Sequence, residues 1–152
     1  MTSLATPLPP LPDPLSEPWF YRGVPARRAF AWLVDSVLIV LLALLAVPAT
    51  AFIGAFFFPL LLLAVNIAYR CASVARWSAT PGMMLAHVEL RGPHGGRLGA
   101  GEAVVHGIAF TLVAASVLGQ IASIALILTS PRGQGLHDLL VGSVALNRPD
   151  PA

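Results

Sequence analysis

Ala29 to Val47 reads AFAWLVDSVLIVLLALLAV, 19 residues in which Asp35 is the one ionisable side chain. At ~1.5 Å per residue such a helix is about 28 Å long, close to the ~30 Å hydrocarbon core of a bilayer. A charge at mid-membrane costs ~2.5–3.5 kcal/mol on insertion scales, and less toward the edge. The 11 Leu, Val and Ile residues of the stretch offset that cost, so Asp35 does not prevent insertion.

Two further apolar runs flank this one. Ala51 to Ala68 reads AFIGAFFFPLLLLAVNIA. Pro48-Ala49-Thr50 makes a plausible turn before it, so the two stretches are expected to form a tight helical hairpin with a kink at Pro59. Ala103 to Leu128 is the third run, with a span expected over about 104–128. As one tilted helix it would cross with length to spare. As two half-helices broken at Gly119-Gln120 it would be re-entrant. Length and continuity favour the single span, because non-helical backbone at membrane depth must be buried in protein or line water.

Composition agrees with lipid as the solvent. The chain is 57% hydrophobic and 11% charged, with a mean hydropathy of +0.79. Soluble domains carry about 25% charged residues, and half of that cannot cover a water-facing surface. The net charge of +2 is ordinary for basic flanks on a membrane protein and gives no argument for nucleic acid. Cys71 stands alone, which excludes an intrachain disulfide and a thiolate metal cluster.

The remaining segments differ in material. Residues 1–20 are rich in proline and are expected to be a disordered tail; residues 147–152 form a second short tail. Between Tyr69 and Gly101, Thr80-Pro81-Gly82 suits a capped helix start or a turn. Ala86, Val88 and Leu90 then alternate with His87, Glu89 and Arg91, and Gly92 to Gly96 reads as a turn. A small β-hairpin at the membrane surface is expected there. Leu140 to Leu146 also alternates as a strand does, and its obvious partner is the strand around His87 to Arg91. That pairing needs both on one side of the membrane, which a re-entrant third run would allow and an unbroken span would not. Arg22, Arg27 and Arg28 precede the first span, Arg70 and Arg76 follow the second, and the turn between carries no charge. Basic residues mark the cytoplasmic side, so the N-terminus and the segment from Tyr69 to Gly101 are expected inside. The fold class expected is therefore membrane all-α: an N-in helical hairpin, a third transmembrane or re-entrant helix, and a small cytoplasmic β-hairpin.

Three segments together resemble the RDD family of bacterial membrane proteins, named for an arginine and two aspartates. Arg28-Ala29-Phe30-Ala31-Trp32-Leu33-Val34-Asp35 resembles its opening helix. Thr80-Pro81-Gly82-Met83-Met84-Leu85 resembles its TPGK-type motif. Gly135 to Ser143, with Asp138, resembles its closing segment. The resemblance covers Tyr21 to Leu146 within a membrane domain of residues 21–146. Met83 stands where the family commonly has lysine, and His106 where it frequently has arginine. The resemblance implies a multi-pass protein of the bacterial inner membrane. Some members are proposed cation/proton antiporters and most have no known activity.

Four residues are candidates for an ion or proton site, or for a structural polar contact: Arg28, Asp35, His106 and Asp138. Arg28 and Asp35 lie seven residues apart on one helix face, ~10.5 Å along the axis, where a water bridge is easier than a direct bond. His106 could relay protons with Asp35, or sit at the interface and reach toward headgroups. His137-Asp138 alone lacks the third and fourth ligands of a metal site, and neither HExxH nor paired-cysteine spacing occurs. No metal, cofactor or enzymatic activity is expected. Small residues recur every fourth position through Ala103, Gly107, Thr111, Ala115, Gly119 and Ser123. Such a stripe is expected to pack against the first helix or a second copy. Two functions compete. A transport-related role in cation/proton exchange would need an oligomer, since three spans are few for one chain. A non-catalytic scaffold or assembly factor would dock another membrane protein.

Overall fold

The computed structural model describes residues 11–148. Gly23, at φ +73°, turns the chain into α1 (Val24–Ala49), whose first turn contains Pro25. Proline is suited there because a first-turn N–H has no helical partner. Ala51 and Phe52 then take positive φ, α2 (Ile53–Phe56) is a single turn, and α3 (Phe58–Trp77) returns. Pro59 therefore opens α3 in its first turn, and the kink expected at that proline is not made. α3 also continues nine residues past Ala68, carrying Arg70 and Arg76 within the helix.

Among the described residues, two stretches are long and apolar enough to cross a membrane: Pro18–Ala49, which includes α1, and α3. The third run is divided. α5 (Ala100–Ala115) and α6 (Val117–Thr129) meet at 115°, so they make a third span only if that bend belongs to it. Ser116 is extended (φ −104°, ψ 121°), and its hydroxyl accepts from Gly119 N, capping α6 where a straight helix would have continued. This corrects the continuous helix favoured above. The break also falls at Ser116, ahead of Gly119-Gln120. At ~1.5 Å per residue, the 13-residue α6 is about 20 Å long, short of a hydrocarbon core.

The strands are corrected too. β1 (Val88–Arg91) forms no hairpin with the residues after it. It pairs antiparallel with β2 (Val144–Asn147), with Leu90 opposite Ala145. Gly92 to Gly96 closes a turn through Gly92 N to Gly96 O, but the chain leaves it for α5. Between β1 and β2, therefore, α5, α6 and the short α7 (Leu136–Val141) leave and come back.

The hydrophobic core lies at this junction, away from the middle of the helices. Val24 and Ala31 of α1, Val74 of α3, Met83 of α4 (Pro81–Leu85), Val88 and Leu90 of β1 and Ala145 of β2 pack as one buried cluster. Leu41, Leu42, Leu44 and Leu45 further along α1 stay exposed, as lipid-facing side chains do. The small-residue stripe packs on α3. A Cβ added at Gly107 would lie 2.8 Å from Cys71 Sγ and 3.3 Å from Cys71 N. Ala103 and Thr111 are buried on the same face. The expected contact with helix one or a second copy is thus replaced by α3. Beyond Thr111 the bend interrupts the stripe: Ala115 is exposed and Gly119 half-buried, whereas Ser123 is buried on α6, where its hydroxyl accepts from Leu136 N at 3.2 Å.

Of the N-terminal tail, residues 1–10 lie outside the described residues. Residues 11–20 depart from the disorder expected of them. Glu17 N bonds Asp13 O, Pro18–Phe20 forms a 3₁₀ turn, and Tyr21 Oη donates to Pro12 O at 2.6 Å. Asn147 Nδ2 ties β2 to this segment through the carbonyls of Trp19 and Arg22. Residues 149–152 of the C-terminal tail also lie outside the described residues.

Candidate polar site

Asp35 and Asp138 are both buried, 1% and 0% exposed, and each is surrounded by donors from other elements. Asp35 Oδ1 accepts from Tyr69 Oη at 2.7 Å and from Gly82 N at 2.8 Å. Its Oδ2 accepts from Thr80 Oγ1 at 2.5 Å, and Arg70 Nη1 lies 4.0 Å away. Thr80 caps α4, taking a bond from Met83 N while its proton goes to Asp35. The Thr-Pro-Gly motif is thus a receptor for the α1 carboxylate. Gly82 is required there because a Cβ would come 2.3 Å from Ala31 O and 2.7 Å from Asp35 Oδ1.

Asp138 is held from four directions. Arg28 Nη1 donates to Oδ2 at 2.6 Å, and Gly135 N donates to the same oxygen at 2.9 Å, closing the start of α7. His106 Nε2 lies 3.0 Å from Oδ1, and Ser143 Oγ reaches that oxygen at 3.3 Å. Burial opposes the charge on Asp138, but Arg28 and His106 outweigh it and hold the carboxyl well below the usual carboxylate range.

The geometry separates Arg28 from Asp35. Arg28 faces Asp138, Gly133 O at 3.3 Å and His137 Nε2 at 2.9 Å. Asp35 faces α3 and α4. His106 joins Asp138 and makes no bond to Asp35. The two groups share one cavity of about 50 Å³, lined among others by Arg28, Asp35, Arg70, His106 and His137, roomy enough for water. Phe110 stands at its wall, with the Arg70 guanidinium 3.8 Å above its ring and the His137 ring edge-on at 4.8 Å.

Tyr69, Arg70, Thr80, Gly82 and Ser143 complete the site, and none was read from sequence as a partner of the aspartates. Arg70 reads there as a flanking positive charge; in the fold it is buried and donates through Nε to Asn66 Oδ1 at 3.0 Å. Asn66 in turn donates to Thr111 at 3.0 Å, joining α3 to α5. The Thr80-Pro81-Gly82 motif was the signal that could have placed Asp35's partners.

His106, His137 and Asp138 bring three ligand-type atoms within 4.8 Å of one another, one more residue than the sequence pair offered. Arg28 occupies their common space. A guanidinium has donors only, so His137 Nε2 accepts from it and the ring proton sits on Nδ1. A cation would have to displace that guanidinium. His137 Nδ1 is buried without a hydrogen-bond partner among the described residues. A buried donor left so costs about 1–3 kcal/mol. Burial, with Arg28 and His106 adding to it against Asp138, lowers the His137 pKa to about 3, so the ring is neutral at ordinary pH.

Comparison with curated proteins and with solved structures gives no significant match. The family model for the RDD family matches residues 22–142, the stretch that contains Arg28, Asp35, Asp138 and both helices able to cross a membrane. The chain belongs to the RDD family of membrane proteins.

Proposed function

We propose that this protein is a non-enzymatic membrane scaffold in which the arginine and two aspartates are structural clamps. They lock the subdomain of α4, β1, α7 and β2 onto the membrane helices and hold it rigid for another membrane protein or a second copy. One observation carries this reading: Asp35 accepts three bonds and Asp138 four, from protein donors on separate elements. A carboxylate that must take up and release cations needs free lone pairs, and here two arginines stand against the two aspartates. The arginines at both ends of the hairpin support a cytoplasmic N-terminus and subdomain. Family membership supports the bacterial inner membrane. Pairing of β1 with β2 supports a re-entrant course for α5 and α6, since both strands then share one side.

A transport role, in cation/proton exchange by an oligomer, is favoured by the cavity that both clusters line. Cation-driven proton flux in proteoliposomes separates the two readings. The scaffold predicts no flux above protein-free vesicles and a lowered melting temperature for Asp35→Asn. Sodium- or potassium-driven flux in the wild type, abolished by Asp35→Asn, would establish transport instead.

A further inference from the structure

A pocket of about 390 Å³ lies outside both clamps, lined by Trp19, Arg27, Ala86, His87, Asn147 and Arg148. Its size is within the ~300–1,000 Å³ of ligand sites. None of the six residues is acidic, and Arg27, His87 and Arg148 are exposed. The walls are fixed by bonds between elements. Asn147 Nδ2 donates to the carbonyls of Trp19 and Arg22, Arg148 N donates to His87 O at 2.8 Å, and Arg27 Nη1 reaches Ala86 O at 3.5 Å. The Arg148 guanidinium makes no hydrogen bond among the described residues. Glu89 Oε2 is 3.9 Å from its Nε, and the other oxygen of that carboxylate holds Arg91.

His87 gives an independent sign that side chains are wanted here. It follows α4 in the left-handed region, at φ +55°, where glycine is the ordinary residue. Any other side chain there carries backbone strain. The His87 ring makes no hydrogen bond among the described residues that would offset it, and it lines the pocket. The surrounding charge is also positive. Arg22, Arg27, Arg91 and Arg148 stand against Asp13, Glu17 and Glu89, and of these seven only Arg27 and Arg148 line the pocket.

Arg27 is two residues, ~3 Å of helix rise, before Ala29, where the apolar run of α1 begins. Trp19 is 51% exposed, and tryptophan favours the boundary between lipid and water. The pocket therefore opens at headgroup level. We infer that it binds the phosphate of an anionic phospholipid headgroup, with Arg27 and Arg148 donating to the phosphate oxygens and His87 beside them. A guanidinium fork matches phosphate geometry, and basic pockets at a membrane surface take such headgroups. A soluble phosphate compound offers the same group, but it would compete with a bilayer that presents phosphates at this level. The bound headgroup would tie α1, the end of α4 and β2 together beside the clamps.

The melting temperature of the full chain in detergent micelles, followed as phosphatidylglycerol is added, tests the site. A saturable rise is expected with phosphatidylglycerol and none with phosphatidylcholine. Arg148→Gln and His87→Gly should each raise the half-saturating phosphatidylglycerol at least tenfold. His87→Gly also relieves the left-handed position, so without lipid it should melt no lower than wild type, which separates lost binding from lost folding. Arg97→Gln removes the same charge from the turn beyond Arg91, at the other end of β1 from Val88 and its partner Asn147, and should respond as wild type. Equal responses to the two lipids would overturn the site, as would equal loss in Arg97→Gln and Arg148→Gln, which would report net charge alone. An equal rise with inorganic phosphate at matched ionic strength, absent with the lipid, would give the pocket to a soluble phosphate compound. Tenfold tighter binding in Asp150→Asn would make this chain's own carboxylate the occupant and overturn the lipid assignment.

Discussion

The guanidinium of Arg28 lies 2.6 Å from the carboxylate of Asp138, across 110 residues of sequence. The pair joins the start of α1 to α7, the last helix before β2. Asp35, on the same face of α1, is left to α3 and α4. The family's three residues therefore form two clamps, one for each half of the surface subdomain.

Asp138→Asn should be the most damaging change in the first clamp. It leaves a buried guanidinium without its counter-charge, and removing one partner of a buried pair costs about 3–5 kcal/mol. Arg28→Lys keeps the charge but has a single point of contact where Arg28 reaches Asp138, His137 and Gly133. Unfolding in detergent should rank Asp138→Asn below Arg28→Lys, and both below wild type. Wild-type stability in Asp138→Asn would remove the clamp reading.

For the second clamp, Asp35→Asn replaces one acceptor oxygen by a donor, so the bonds from Tyr69, Thr80 and Gly82 cannot all survive. A loss of about 1–3 kcal/mol is expected. Gly82→Ala should do similar harm without touching any charge, because its Cβ meets Ala31 O and Asp35 Oδ1 below 3.0 Å. Gly101→Ala is the control. A Cβ there meets nothing within 4 Å, and Ala in place of helical Gly should stabilise by up to about 1 kcal/mol.

Membrane class and the first helix were legible because hydropathy and length act locally: 19 apolar residues need no partner to be read. The site was legible only in part. Asp35, Arg28, His106 and Asp138 announce themselves as polar groups in or beside apolar runs, yet their pairing depends on contacts 32 to 110 residues apart. Sequence spacing put Arg28 and Asp35 together because it sees one helix at a time. The bend at Ser116 was missed for a similar reason: a serine inside an apolar run reads as helix until its hydroxyl is seen capping the next one. Strand alternation was visible in both β1 and β2 and pointed to their pairing, but the length and continuity of the third apolar run favoured a single span, which would have put the two strands on opposite sides.

Packing gives a prediction that the stripe alone would have placed elsewhere. Gly107→Leu must push into Cys71 on α3, where a Cβ already lies 2.8 Å from Sγ and 3.3 Å from the backbone nitrogen. Gly119→Leu, beyond the bend, meets Val113 O and Ser116 at 3.1–3.4 Å within its own helix pair. Folded yield in detergent should collapse for Gly107→Leu and fall less for Gly119→Leu. The reverse order would mean that α5 does not pack on α3 through this glycine.

Acid should weaken the fold well above carboxylate pH. The folded His137 pKa, about 3, lies below the ordinary 6.5, so below pH 6.5 the unfolded chain binds a proton that the folded chain refuses. Stability is complete above 6.5 and is lost as pH falls toward 3, at up to about 1.4 kcal/mol per pH unit. Asp138 adds its own loss only below the usual carboxylate range, since its folded pKa is lowered too. Melting temperatures between pH 7.5 and 4.5 should fall in the wild type and flatten in His137→Gln. An unchanged slope in that variant would place the titrating group elsewhere.

The pairing of β1 with β2 decides how the chain meets the membrane. Leu90 and Ala145 are opposite one another, whereas Val88 is opposite Asn147, three positions from Val144. Three residues along a strand are about 10 Å, beyond the reach of a disulfide. In a Cys71→Ala background, Leu90→Cys with Ala145→Cys should crosslink within one chain under mild oxidation, and Val88→Cys with Val144→Cys should do so poorly. That pattern requires both strands on one face of the bilayer, and with it α5 and α6 must enter and leave on the same side. The 115° bend and the 13-residue length of α6 make such a course feasible. Burial of the bend remains its physical requirement, and Val113 O lies near Gly119 in a part of the chain that is otherwise exposed. Neighbouring protein in an oligomer would supply that cover. No crosslink in the Leu90–Ala145 pair, with Ala145→Cys labelled only from the periplasm, would return α5 and α6 to a single broken span.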